Sequence, residues 1–197
     1  MFTVTNLEGS GQTLSLAIET GMIGIRIERE AGSYLARLLA GVRKPEGGSV
    51  QADPDGVVGF APAAAPMPFG MSVVRFMEHM GRLRGLQEDE AGEKAASILT
   101  LCGLEELGSS VINQRTRTAV RHQIALLAAM MGRTNVVIAE APTDDLLDDE
   151  TEVITDLLAK MKEDYAVVVL ESNPDVLALC ETVIDRTEGE SHDEVSA

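Results

Sequence analysis

The sequence predicts an α/β domain, in which helices cover a mostly parallel sheet, with an N-terminal antiparallel β element and a small helical subdomain. Three patterns lead to this prediction. Residues 2–27 show strand-like alternation, the middle of the chain shows helical periodicity, and the C-terminal third alternates strands with helices. Strands separated by helices favour a parallel sheet, because each helical crossover returns the chain to the same end.

The length of the chain allows one sizeable domain, and its charge restricts the partners that it can bind. The chain has 197 residues, of which 45% are apolar, and 32 acidic and 16 basic residues give a net charge of −16. This charge repels nucleic-acid backbones and anionic lipid surfaces. We therefore expect neither nucleic-acid binding nor electrostatic docking to a membrane.

Nothing in the sequence indicates membrane insertion, export or metal binding. The most apolar stretch, Val57 to Val74, is interrupted by prolines and glycines and cannot form a spanning helix. The two cysteines, Cys102 and Cys180, lie far apart in apolar runs, which favours buried thiols over a disulfide or a metal site. The N-terminus lacks the basic and apolar segments of a signal peptide, so we expect a cytoplasmic location.

The N-terminal strands have the clearest pattern. Phe2–Leu7 and Thr13–Ile18 predict two strands joined by a turn at residues 9–11, and therefore an antiparallel pair. Met22–Ile27 predicts a third strand, with isoleucines 23, 25 and 27 on one face.

From Gly32 the apolar period becomes that of a helix, with leucines 35, 38 and 39 and Val42 in one stripe. Lys44–Gly48 predicts a turn, and Val57–Phe60 predicts the next strand.

The middle of the chain predicts helices only. Ser72 is expected to cap a helix that ends near Arg84, and Glu88–Cys102 predicts a second helix, since its acidic residues favour the N-terminus. We expect a helical subdomain at about residues 72–117.

The C-terminal third returns to alternating elements. We predict helices at Thr118–Met131, Asp149–Lys162 and Pro174–Cys180, and strands at Asn135–Ala139, Ala166–Leu170 and Thr182–Asp185. Residues 1–186 are expected to form a single domain, and residues 187–197, TEGESHDEVSA, an acidic disordered tail.

Three segments, in this order, resemble the nucleotide-binding domain of ABC transporters, a family of P-loop ATPases. ARLLAGVRKPEGGSV at residues 36–50 is similar to the helix after the phosphate loop and the turn that follows it. IALLAAMMGRTNVVIAEAPTDDLLDDE at residues 124–150 is similar to the helix after the signature motif and the Walker B strand. VVVLESNPDVLALCETVI at residues 167–184 is similar to the last core strand and the switch segment. The resemblance covers residues 2–186 and implies a P-loop ATPase-like fold.

The phosphate loop that the resemblance implies is degenerate. A working loop has the pattern G-x-x-x-x-G-K-S/T, in which backbone N–H groups and the lysine bind phosphates and the hydroxyl holds magnesium. Gly32 stands at the lysine position, Ala31 and Arg26 replace the two glycines, and only Ser33 is retained.

Acidic residues make this segment still less suited to phosphate. Glu28 and Glu30 lie within it, and a carboxylate about 4 Å from a phosphate costs about 1 kcal/mol in water and about 4 kcal/mol at an effective dielectric of 20. Arg26 and Arg29 could offset this charge, although strand alternation directs Arg26 away from the loop. We therefore expect a plain strand-to-helix connection.

The other motif positions have also lost their chemistry. Glu140 keeps a carboxylate at the Walker B aspartate position, but Ala141 stands where a carboxylate polarises the attacking water, and alanine cannot act as a base. Pro142 and Thr143 match the family. Ala63 stands at the loop-glutamine position, and residues 116–120 stand at the signature position. Leu147 stands at the loop-aspartate position, and Ser172 stands at the switch-histidine position.

Two functions are consistent with this pattern. The first is a catalytically degenerate ABC-transporter ATPase-like subunit, without catalytic residues or cofactor, that acts as a structural or regulatory partner in a membrane or ATPase complex. The second is a divergent ATP-binding subunit that still binds and slowly hydrolyses Mg-ATP. Its nucleotide-binding residues would be Gly32, Ser33, Tyr34 and Glu140, with the helix N-terminus supplying partial positive charge.

The resemblance also implies a partner-binding surface within residues 63–86, the segment that receives the coupling helix of the membrane subunit in the family. Flexible thioethers and aromatic rings suit an adaptable protein-binding surface, and the candidates are Met67, Phe69, Met71, Phe76 and Met80. Phe76 and Met80 have the alternative of packing on the chain's own core. The expected partner is a permease-like membrane subunit, at the inner face of the membrane, or another ABC ATPase subunit; a second copy of the chain is a further candidate.

Overall fold

The computed structural model describes residues 1–9, 12–52, 56–64, 67–187 and 194–196. The strands are β1 Phe2–Gly9, β2 Gln12–Ile18, β3 Gly21–Arg26, β4 Gly47–Gln51, β5 Val57–Ala61, β6 Thr134–Glu140, β7 Ala166–Leu170, β8 Thr182–Asp185 and β9 Glu194–Ser196. The helices are α1 Arg29–Leu39, α2 Val73–Leu83, α3 Glu88–Cys102, α4 Glu105–Gly108, α5 Thr118–Ala129, α6 Asp148–Asp164 and α7 Pro174–Leu177.

The described strands form two sheets, and these confirm the predicted α/β class. The larger sheet has the order β5-β6-β7-β3-β8, and every neighbouring pair in it is parallel. The smaller sheet has the order β4-β1-β2-β9; β1 pairs with β2 and β4 antiparallel, and β9 pairs with β2 in parallel. Buried strands rich in valine and isoleucine are typical of a parallel sheet covered on both faces.

Alternation along the central strands divides the core into two layers. Val136 and Ile138 of β6 face the layer that contains α1 and the small sheet, whereas Val137 and Ala139 face the layer that contains α2, α3, α5 and α6. Successive side chains of a strand point to opposite faces, so β6 contributes to both layers. The predicted isoleucine face of β3 is confirmed, since residues 23, 25 and 27 all lie in the first layer.

Several elements differ from the sequence predictions. β4 was not predicted; it begins within the predicted turn at Lys44–Gly48, and it forms by pairing with β1. α1 begins at Arg29 and ends at Leu39, so Val42 lies beyond the helix and is exposed. α4 was not predicted, and α7 is three residues shorter than expected. Within the predicted tail, 194–196 form a strand, and the other residues from 188 onward lie outside the described residues.

The predicted middle region contains α2, α3 and α4, and Arg84 at the end of α2 ties it to the rest of the domain. Its Nη1 donates to the carbonyl oxygens of Ala128, Ala129 and Met131 at 2.8–2.9 Å, at the C-terminus of α5. The last carbonyls of a helix have no partner within the helix, so a cation at this position satisfies them and favours the helix dipole.

Replacing Arg84 with methionine keeps most of the apolar stem and removes the donor. We expect the free energy of unfolding to fall by about 1–3 kcal/mol, because three carbonyl groups lose a charged partner. Urea denaturation measures this change. Arg82→Met is the matched control, since Arg82 is exposed on the same helix and has no side-chain partner among the described residues; its effect should stay within about 0.5 kcal/mol. Equal losses in both variants would contradict the role of Arg84.

Candidate functional site

The connection between β3 and α1 contains only Ile27 and Glu28, so the chain passes directly from strand to helix. Glu28 is the N-cap, and its carbonyl accepts the N–H of Gly32 at 2.7 Å. Only the first amides of a helix lack an internal partner, and in α1 these belong to residues 28–31. The candidate residues Gly32, Ser33 and Tyr34 therefore lie inside α1, beyond the free amides of its N-terminus.

The two neighbouring candidate residues have different surroundings. Ser33 lines a cavity of about 40 Å³ at the carboxyl ends of β3, β6 and β7. The ring of Tyr34 instead packs against the first core layer, and the Arg43 guanidinium lies 4.4 Å from its centre. Ligand pockets usually have volumes of about 300–1,000 Å³, so this cavity by itself is too small for a nucleotide. Ser33 and Glu140 also line an open cavity of about 430 Å³, which they share with Arg29, Glu30 and Arg37.

Carboxylates dominate the small cavity. Its acidic lining residues are Glu28, Glu140, Asp144 and Glu171, and its one basic lining residue is Arg29. A triphosphate placed here would face several like charges, each of which costs about 4 kcal/mol at about 4 Å in an effective dielectric of 20.

The two arginines that could offset these carboxylates are already paired. Arg26 donates to Asp185 at 2.9 Å, which confirms that strand alternation directs it away from the site. Arg29 Nη1 lies 2.7 Å from a carboxylate oxygen of Asp144 and 3.6 Å from one of Asp145. A phosphate would have to compete with these carboxylates for Arg29.

The end of β6 presents one buried carboxylate and one strained backbone. The side chain of Glu140 is buried, and its Oε2 has no hydrogen-bond partner among the described residues. Ala141 follows with φ of +41°, in the left-handed region that residues with a Cβ rarely adopt. Its N–H donates to the carbonyl of Leu170 at 2.9 Å, which holds this conformation in place.

Glu171 joins the two loops that follow β6 and β7. Its Oε2 accepts from the N–H of Thr143 at 3.1 Å and from its hydroxyl at 2.7 Å. Its Oε1 accepts the N–H groups of Ser172 at 2.8 Å and Asn173 at 3.2 Å. We call these contacts the Glu171 latch. Sequence reasoning missed Glu171, although a carboxylate directly after an apolar strand is the signal that could have identified it.

The Glu171 latch has a buried histidine beside it. Burial lowers the pKa of His122, against the opposing effects of a hydrogen bond with the Pro142 carbonyl and of the nearby carboxylates of Asp144, Asp145 and Glu171. His122 therefore belongs to the buried face of α5 that packs against this loop.

Arg117, in the segment at the signature position (residues 116–120), is hydrogen-bonded to α6. The guanidinium of Arg117 donates to Glu150 Oε1 from Nη2 at 2.7 Å and from Nε at 3.2 Å. This hydrogen bond holds the pKa of Glu150 below its ordinary value.

The candidate partner-binding residues divide into two groups. Met67, Phe76 and Met80 are partly buried and pack against the second core layer, so the alternative given for Phe76 and Met80 applies to Met67 as well. Phe69 is 56% exposed, and the guanidinium of Arg121 lies 5.9 Å from the centre of its ring. Met71 is half-buried, and its carbonyl accepts the N–H of Ile112 at 2.9 Å.

Two features are absent from the described residues. They contain no group of three or more histidine, cysteine or acidic side chains placed to bind a metal ion. Their helices include none that combines the length and the apolar character needed to cross a bilayer.

Comparison with known proteins relates the sequence to one class of protein. No model of a known protein family matches the chain. The chain is 26% identical over 174 residues to the methionine import ATP-binding protein MetN of Latilactobacillus sakei subsp. sakei strain 23K, which covers 80% of this chain and 50% of the relative. The chain therefore spans about half the length of the curated relative that it matches.

Solved structures agree with the sequence match. The dimeric bacterial ABC transporter cassette MJ0796 has a TM-score of 0.72 at 17% identity, over 94% of each chain. CbiO1 from Clostridium perfringens, part of the ABC transporter complex CbiONQ, has a TM-score of 0.74 at 18% identity, over 93% of this chain and 83% of that chain. The fold is that of the P-loop ATPases. The resemblance to the ATP-binding domains of ABC transporters is confirmed, because the chain has the fold of that family and a sequence match to one of its members.

Replacing Ala141 with glycine should stabilise the protein. Glycine has no Cβ and adopts a positive φ freely, so we expect the free energy of unfolding to rise by up to about 1 kcal/mol. The matched control is Ala178→Gly, at an exposed position with φ of −67°, which should lose about 0.5–1 kcal/mol. Urea denaturation compares the two variants, and a loss of stability in Ala141→Gly would contradict the assigned strain.

Proposed function

We propose that this chain is a catalytically degenerate subunit of the ABC-ATPase type that acts as a structural or regulatory partner in a protein complex. The observation that carries this proposal is the two-residue connection between β3 and α1. It leaves no loop long enough to surround a phosphate, and the amide of Gly32 is already used within the helix. Backbone amides are the main phosphate ligands of a P-loop. The short connection therefore lacks the backbone amides that bind phosphate, in addition to the side chains of the motif.

The surroundings of the connection support the same proposal. Four acidic side chains line the small cavity, Arg29 is paired with aspartates, and Ala141 offers no carboxylate to activate water. Each of these three features alone would weaken phosphate binding or hydrolysis. Together they oppose both phosphate binding and hydrolysis.

One observation favours the alternative of a divergent subunit that binds and slowly hydrolyses Mg-ATP. The hydroxyl-bearing Ser33 and the buried Glu140 line the same cavity, and Glu140 Oε2 has no hydrogen-bond partner among the described residues. A carboxylate and a hydroxyl are both oxygen ligands of the kind that Mg²⁺ accepts. The remaining carboxylates of the cavity make this the weaker proposal.

Titration of the full chain with Mg-ATP by calorimetry tests the two proposals. On the first, we expect no binding heat at millimolar nucleotide and no phosphate release above that of the buffer. The double variant Gly32→Lys, Ala141→Glu should also show no turnover, because the loop that would close around the phosphates is absent.

Saturation of the wild-type chain at micromolar Mg-ATP would overturn the first proposal. Ser33→Ala and Glu140→Gln would then be expected to weaken binding by about tenfold or more, as the alternative requires.

The proposed partner is a membrane permease-like subunit or another ABC-type subunit, met at the cytoplasmic face of the membrane. The contact surface centres on Phe69, whose ring is exposed beside Arg121. The loop that carries it is held by two backbone hydrogen bonds, from Gly70 to the Ile112 carbonyl at 2.8 Å and from Ile112 to the Met71 carbonyl at 2.9 Å. A fixed loop loses little conformational entropy when a partner binds.

Phe69→Asp should release the chain from the membrane fraction of its native host, because a charge would replace the exposed ring of the contact surface. Cosedimentation with membranes measures this release. Leu83→Asp is the matched control, since Leu83 is 68% exposed at the end of α2 and should retain association. Thermal unfolding followed by circular dichroism verifies that both variants are folded. Equal association of the two variants would remove Phe69 from the proposed surface.

A further inference from the structure

The outer edge of β2 in the small sheet lacks the features that usually protect an edge strand. An open edge presents unpaired N–H and C=O groups to other chains, and proteins protect such edges with charged side chains, proline or β-bulges. β2 contains neither a charged residue nor proline. Where β2 pairs with β1, the extra residue of the bulge between Val4 and Leu7 lies in β1, so β2 itself is regular. Its edge is therefore a regular template for a further strand.

The opposite edge of the small sheet is irregular. β4 pairs with β1 on either side of a register shift between Thr5 and Glu8, and Gly48 within β4 has φ of +73°. A bulge and a left-handed residue turn an edge strand away from regular pairing. Of these two edges, that of β2 is the one suited to accept a strand.

The C-terminal segment of the chain covers the edge of β2. β9 pairs in parallel with residues 15–17 of β2. Closer to the start of β2, the buried Arg186 donates from Nη2 to the Thr13 carbonyl at 2.8 Å, while its N–H donates to the Arg26 carbonyl at 2.7 Å. Arg186 therefore fixes the chain beside this edge directly after β8, and β9 covers the residues that follow Thr13.

β9 is a weak cover on a strongly held strand. It has three residues and one neighbour in the described sheet, and parallel pairing is slightly less stable per residue than antiparallel pairing. β2, in contrast, pairs with β1 at six positions and buries Leu14, Leu16 and Ile18 in the first core layer. Local opening should therefore release β9 and leave β2 in place.

We infer that β9 is a removable cover, which keeps the chain from pairing with a second copy through the edge of β2. A two-fold contact uses the same surface of both copies, and an antiparallel pair of β2 strands centred on Ser15 places Leu14 of each copy opposite Leu16 of the other. β2 therefore carries the alternation that a strand on this edge needs, without a charge at the contact. This edge is separate from α1 and β6, which carry the candidate nucleotide residues.

Two variants of the full chain remove the cover. One lacks residues 188–197 and keeps Arg186, and the other carries Val195→Pro and Ser196→Pro, which take two N–H groups out of β9. The deletion also removes four acidic residues, whereas the proline variant keeps the length and charge of the chain. In sedimentation equilibrium across a concentration series, both variants should self-associate with a dissociation constant about tenfold or more below that of the wild-type chain.

Hydrogen exchange followed by mass spectrometry locates the contact. At low protein concentration, amides within residues 12–18 of both variants should exchange about tenfold or more faster than in the wild-type chain. At high concentration the same amides should regain protection, because the second copy replaces β9. Association that leaves the exchange of residues 12–18 unchanged would overturn the inference.

A lysine on the edge strand supplies the matched test. Ala17→Lys in the deletion variant should raise the dissociation constant by about tenfold or more, because an edge lysine opposes pairing between chains. Thr5→Lys in the same variant is the control, since Thr5 is exposed on β1, which has a strand on both sides; its effect should stay within about threefold. Circular dichroism verifies that each variant is folded. Deletion and proline variants that associate no more than the wild-type chain, or equal effects of the two lysines, would each contradict the role of β9.

Discussion

The register of the central parallel strands is the constraint on which the site depends. Glu140 lies opposite Leu170, and Leu170 lies opposite Ile25, so β6, β7 and β3 end at the same level of the sheet. The ladder continues past the strands: Ala141 donates to the Leu170 carbonyl at 2.9 Å and Glu171 donates to the Ile25 carbonyl at 3.1 Å. A slip of one residue would move every side chain at this edge to the other face.

At this edge the chain satisfies many of its own polar groups, although the buried Glu140 Oε2 has no hydrogen-bond partner among the described residues. The Glu171 latch accepts four hydrogen bonds, Gly32 donates within α1, and Arg29 is paired with Asp144. A buried polar group without a partner costs about 1–3 kcal/mol, so these internal partners stabilise the edge without a ligand.

The sequence was sufficient to predict elements whose signals are local. β7 and β8 were predicted to the residue, because short β-branched runs end at turn residues. α3 was also predicted to the residue, with its acidic residues marking the N-terminus, and in the structure it ends at Gly103, which adopts φ of +68°. The class of the fold followed from these elements.

Features that depend on distant residues could not be predicted. No strand was predicted at β4, whose first two residues belong to the predicted turn, and it forms by pairing with β1. The start of α1 was placed late because the segment was compared with a loop, whereas its acidic residues are well suited to a first helical turn. The Glu171 latch depends on the strand register that brings Thr143 to the end of β7. The pattern of a single sequence does not show which residues of distant strands lie opposite each other.

The conformation of Ala141 shows which forces shape the site. A left-handed alanine costs about 1–2 kcal/mol, and such strain persists only where the surroundings determine the backbone fully. Here the ladder fixes the N–H of Ala141, and the Glu171 latch fixes Thr143 two residues later. The backbone conformation at Ala141 is therefore imposed by the sheet and the latch, and it does not depend on a favourable intrinsic preference of alanine.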